Sequence, residues 1–109
     1  MVGIDNGGEY RLDEYSPFPN EKYPGSGEGD LYLDFIKNTL KPYIDFKYRT
    51  RPDQPNTGIM GSSMGGLISF YAGMRDQKTY SKIGVFDASF WFNDPSLFDW
   101  VKTKNKTEQ

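Results

Sequence analysis

The stretch Thr57-Gly58-Ile59-Met60-Gly61-Ser62-Ser63-Met64-Gly65-Gly66-Leu67 decides how this chain reads. Thr57 to Gly61 is a short, mostly apolar run that predicts a strand. Met64 to Met74 predicts a helix, with Leu67, Ile68, Tyr71, Ala72 and Met74 available for burial. Between them Gly61, Ser63 and Gly65 fit the pattern G-x-S-x-G. A strand that turns so tightly into a helix holds its central residue at strained backbone angles. Small neighbours at Gly61 and Gly65 are expected to avoid collision with the adjacent strand and helix. The Ser63 hydroxyl then projects from the C-terminal edge of a sheet. There the Met64 N–H and the helix dipole can stabilise a developing oxyanion. The plainer alternative is a close-packed turn whose serine merely caps the helix. No Lys-Ser/Thr pair follows, as a phosphate loop would need, and Ser63 occupies the place of a dinucleotide fingerprint's second glycine.

Working outward, Ile83 to Phe86 predicts a strand ending at Asp87-Ala88-Ser89. Pro95 to Val101 predicts a helix with proline in its first turn, and residues 102–109 a frayed polar tail, leaving 1–101 as one domain segment. Upstream, Asp30 sits where an N-cap belongs. Leu31, Leu33, Ile36, Leu40 and Ile44 follow at amphipathic helical spacing, with Pro42 expected to kink the helix. The proline- and glycine-marked stretch 9–29 predicts a long loop, and Val2-Gly3-Ile4 a strand entered partway. Strand, helix, strand, helix, strand is the order of an α/β layered domain with a parallel sheet.

Composition narrows the chemistry. The 109 residues contain no histidine and no cysteine. That removes Ser-His-Asp or Cys-His machinery held within this chain, imidazole metal ligands, disulfides and thiolate nucleophiles. No metal site is expected. A net charge of -2 and a pI near 5.0 give no footprint for nucleic acid or anionic lipid. No apolar run approaches the roughly 20 residues of a membrane helix, and Met1 to Asp5 lacks the features of a signal peptide, so the default compartment is the cytoplasm. Eight Phe, eight Tyr and two Trp supply core material.

Four separated stretches carry a family resemblance: Gly3-Ile4-Asp5-Asn6-Gly7, Leu40-Lys41-Pro42-Tyr43-Ile44, Gly61-Ser62-Ser63-Met64-Gly65-Gly66-Leu67 and Ala88-Ser89-Phe90-Trp91-Phe92. Together they resemble the esterase branch of the α/β-hydrolases that contains enterochelin esterases, S-formylglutathione hydrolases and feruloyl or acetyl-xylan esterases. The resemblance runs from about Val2 to Val101. It implies a partial, three-layer α/β-hydrolase fold with a short parallel sheet, lacking N-terminal and C-terminal parts. It further implies Ser63 as nucleophile and the Met64 amide as an oxyanion donor. Asp5, Asn6, Trp91 and Phe92 would then lie near the substrate pocket. No cofactor is implied, and the substrate would be a small-molecule ester.

The same resemblance implies that the triad histidine and usual acid lie beyond residue 109. The second oxyanion amide and a strand adjoining the nucleophile strand would lie before residue 1. The chain therefore reads as the central segment of a hydrolase, expected to be inactive alone. Exposed strand edges beside the vacant lane would invite pairing with another copy, and a non-catalytic piece that associates or complements missing strands is the alternative function. Asp87 is either an acid at the end of the strand after the nucleophile helix or a plain turn former. Lys78 and Lys82, the lysines nearest Ser63, read as solvated. Phe90, Trp91 and Phe92, with Phe86 and Trp100, suit either a core or a ligand platform. Tyr10, Arg11 and Tyr15 read as solvated loop residues.

Overall fold

The computed structural model describes residues 1–5, 7–94 and 96–107, with side chains as far as Thr103. Its centre is a parallel pair, β1 (Gly58–Ser62) and β2 (Lys82–Phe86), joined by the helix Met64–Arg75. The register runs from Gly58 opposite Lys82 to Ser62 opposite Phe86. The α-helices are α1 (Arg11–Tyr15), α2 (Gly29–Phe35), α3 (Lys41–Lys47), α4 (Met64–Arg75) and α5 (Ser96–Thr107), with 3₁₀ turns at Gly8–Tyr10, Gln54–Asn56 and Phe90–Asn93.

Helix α4 covers one face of the sheet and approaches it closely. Gly73 has no side chain, and the Ile83 Cδ1 atom lies where a Cβ would sit. Leu67, Ile68, Tyr71 and Ala72 of α4 join Tyr15, Leu33, Ile36, Tyr80, Phe92 and Leu97 in the buried core. Strand alternation puts Met60 and Phe86 beside Gly84 on the opposite face. There Met60 is 61% exposed and Phe86 55%.

An ion-pair cluster holds α2 against α4. Arg75 donates to Asp30, Asp34 and Asp76, and Asp76 also accepts from Lys37. Burial alone would lower the Arg75 pKa, but hydrogen bonds to Asp34, Asp76 and Asp30 hold it above the ordinary guanidinium value. Tyr71 donates to Asp30 Oδ1 at 2.7 Å. Asp30 therefore does not cap its own helix: α2 starts at Gly29, with Glu28 at the N-cap position and no side-chain cap bond. Its carboxylate is drawn to Arg75 and Tyr71 instead.

Several expectations are corrected. Val2 to Ile4 forms no strand; Val2 and Ile4 are exposed, because the described residues offer no neighbouring strand to complete a hydrogen-bond ladder. The stretch 9–29 is not all loop, since it opens with a 3₁₀ turn and α1. Tyr15 is buried there and packs on Tyr32 at 5.0 Å. Pro42, expected to kink or locally break its helix, sits just after a local irregularity in an otherwise continuous helical run. A π turn over Ile36–Leu40, with Lys41 N–H donating to Ile36 O, widens the coil just before the ring and so relieves its conflict with the preceding turn. Residues 102–107, expected as a polar tail, continue α5. Pro95, expected at the start of that helix, lies outside the described residues. No helix among the described residues is long and apolar enough to cross a membrane.

Candidate active site

At the junction of β1 and α4 the backbone of Ser63 has φ 57° and ψ −119°. A non-glycine residue with positive φ is uncommon, and such a conformation costs on the order of 1–3 kcal/mol. Three backbone bonds hold it. Ser63 N–H donates to Phe86 O at 2.9 Å, while Ser63 O accepts from Leu67 N–H and Ser89 N–H, each at 3.1 Å. The turn is thus tied to its own helix and to the segment leaving β2.

Glycines make this close approach sterically possible. A Cβ on Gly61 would lie 2.5 Å from Gly65 O, and one on Gly66 would lie 3.1 Å from Phe86 O and 3.2 Å from Ala88 Cα. A Cβ on Gly65 would meet open space. The second crowded glycine is therefore Gly66, not Gly65, because Gly66 faces β2 while Gly65 is the backbone that Gly61 must clear.

Ser63 is exposed at the sheet's C-terminal edge, and its Oγ lies 3.1 Å from the Oγ of Ser89. Met64 opens α4, so its N–H belongs to the first turn, whose N–H groups have no acceptor within the helix. The Met64 side chain points into the core. The loop from 16 to 28 closes against the segment after β2 through Asn93. Its Oδ1 accepts from Phe18 N–H at 3.1 Å, its Nδ2 donates to Phe18 O, and Asn20 Nδ2 donates to Phe92 O at 2.9 Å.

The other sequence-derived residues are dispersed. Asp87 follows β2, is exposed and has φ 46°. Trp91 is 65% exposed, whereas Phe92 is 2% exposed and belongs to the core, with its ring 5.0 Å from that of Tyr23. Asp5 lines a separate cleft of about 360 Å³ with Glu14, Glu28, Tyr32 and Phe35. Asn6 lies outside the described residues. Lys82 sits at the opposite end of β2 from the Ser63 turn and donates to Pro55 O at 2.8 Å. No group of three or more metal-ligating side chains occurs among the described residues. Sequence reasoning did not single out Ser89 or Asn93. Both are polar residues that the fold buries after β2, and no pattern in the sequence marks that burial.

A parallel sheet that feeds through a strained serine into a helix places the chain among the α/β-hydrolase folds, of which it carries a part. The Putative esterase family matches residues 1–108, and the chain belongs to that family. It is similar to the uncharacterized protein YbbA of Bacillus subtilis, 32% identical over 99 residues covering 86% of this chain and 39% of that protein. It is also similar to the siderophore enterobactin esterase of Emericella nidulans, 24% identical over 89 residues covering 82% of this chain and 29% of that enzyme. Among solved structures, an IroE-like serine hydrolase from Shewanella oneidensis superposes with a TM-score of 0.69 at 27% identity, covering 86% of this chain and 32% of the other. The BES protein from Bacillus cereus superposes at 0.78 and 20% identity, covering 93% and 38%. The chain thus spans no more than 39% of the length of any of these relatives.

Proposed function

We propose that Ser63 is the nucleophile of a serine carboxylic ester hydrolase and that the Met64 amide is one of its oxyanion donors. The observation that carries this reading is the exposed Ser63 hydroxyl on a strained turn between β1 and the first N–H groups of α4. In the reaction Ser63 Oγ bonds to the ester carbonyl carbon, and its proton passes to a general base. The oxyanion rests on the Met64 N–H and a second donor. Collapse of the tetrahedral intermediate breaks the bond to the alcohol oxygen, which takes up the proton, and water then releases the acid. Membership of an esterase family, and relatives named as a siderophore esterase and a serine hydrolase, support a small-molecule ester as substrate.

The sequence has no histidine, so the proton transfer needs a base that these residues do not include. The 109-residue chain is expected to show negligible turnover of a chromogenic acetate ester. A fluorophosphonate probe is nevertheless expected to label Ser63 in preference to the other serines, with labelling lost in Ser63→Ala. Labelling spread evenly over the serines, or unchanged in Ser63→Ala, would overturn the reading.

The exposed Met60 and Phe86 side chains favour a second reading, in which the chain's activity is association through its open sheet. Concentration-dependent oligomers on a sizing column, without preferential labelling of Ser63, would support it.

A further inference from the structure

We infer that Ser89 donates a hydrogen bond from its hydroxyl to the Oγ of Ser63 and holds that oxygen ready for attack, an assignment that rests on Ser63 being the nucleophile. The two oxygens are 3.1 Å apart, and by geometry alone either could be the donor. Burial decides between them. Ser89 is 7% exposed whereas Ser63 is exposed, so the Ser89 hydroxyl hydrogen has the lesser access to bulk water, and Ser63 Oγ is an acceptor within reach. Ser63 is exposed and keeps its own hydrogen free to point at a base. The reverse arrangement would aim the Ser63 hydrogen at Ser89 and away from a base.

This direction has a chemical consequence. As Ser63 Oγ forms its new bond, its proton leaves for the base and negative charge gathers on the oxygen beforehand. A donor already aimed at that oxygen stabilises the charge without giving up its own proton, and a hydrogen bond to a charged group is stronger than one to a neutral hydroxyl. Ser89 ends each cycle unchanged. Its main chain does separate work, since the Ser89 N–H accepted by Ser63 O fixes the strained turn. Replacing the side chain leaves that backbone bond in place, so the two roles can be separated.

The test measures phosphonylation of the 109-residue chain by a fluorophosphonate at pH 9, where buffer and hydroxide serve as base, with intact-mass and peptide mapping of Ser63. Rates across probe concentration give a maximal rate and a half-saturation concentration. Ser89→Ala is expected to lower the maximal rate about tenfold. Half-saturation and the melting temperature should stay as in the wild type, and Ser89→Thr, which keeps the donor, should restore most of the rate. An unchanged maximal rate in Ser89→Ala would overturn the inference while leaving the Ser63 reading intact. A loss that Ser89→Thr does not repair, accompanied by a lower melting temperature, would also overturn it by showing a packing role. Absence of Ser63 labelling in the wild type would overturn the reading and the inference together.

Discussion

The two faces of the β1–β2 sheet come from alternate residues of the same strands, yet they live in different surroundings. On one face Ile59 packs against the core and Ile83 reaches into the space left by Gly73 of α4. On the other, Met60 and Phe86 flank Gly84 and stand more than half exposed. Side-chain alternation in a strand is local and survives without a cover, whereas the free energy of burial depends on what lies across the interface. The covered face is therefore where stability resides. The open face contributes an exposed apolar surface whose replacement should barely register.

The largest break in that contrast is expected from Leu67→Ala. Leu67 is fully buried in α4, and truncation should cost about 2–5 kcal/mol, read as a lowered urea midpoint or outright loss of the far-UV helical signal. An intermediate effect should follow alkaline pH. Burial raises the pKa values of Tyr32 and Tyr71 on the covered side, and burial with the nearby Asp76 carboxylate pushes Tyr80 up to about 12. A raised folded-state value means the folded chain keeps protons that the unfolded chain, with tyrosines near 10, releases first. Stability should thus be full below about pH 10 and fall as the pH climbs towards the Tyr80 value of about 12. Thermal melts at rising pH would show it, and Tyr80→Phe should remove part of the decline. The smallest effect is expected from Met60→Thr on the open face, within about 0.5 kcal/mol of wild type. A loss beyond 1 kcal/mol (roughly twice that tolerance) would mean that this face is covered in solution and the contrast is false.

The parts of the molecule written in short segments were legible. β1, the Ser63 turn, α4 and β2 fall within a residue or so of their sequence-based boundaries, because apolar runs and crowded glycines act over a few positions. What the sequence did not disclose depends on distant partners. Val2 to Ile4 has the composition of a strand but nothing to pair with among the described residues. Asp30 has the position of a cap but is drawn to Arg75, 45 residues away. Phe92 and Trp91 are adjacent aromatics, yet Phe92 joins the buried core with its ring against Tyr23 while Trp91 stands 65% exposed. Ser89 acquires meaning only from the 26-residue return that brings it to Ser63.

The π turn before Pro42 gives the helical stretch from Gly29 to Lys47 a matched pair of irregularities. A π turn is one residue more than a regular helix needs, and a proline in mid-helix is one hydrogen bond fewer. Each compensates the other here. Deleting a single residue between Ile36 and Leu40 would tighten the coil around a ring that no longer fits, and replacing Pro42 alone would leave a wide turn with no ring to relieve. An insertion-deletion event and a point substitution at this place are therefore coupled: relatives with a regular helix here should also lack the proline.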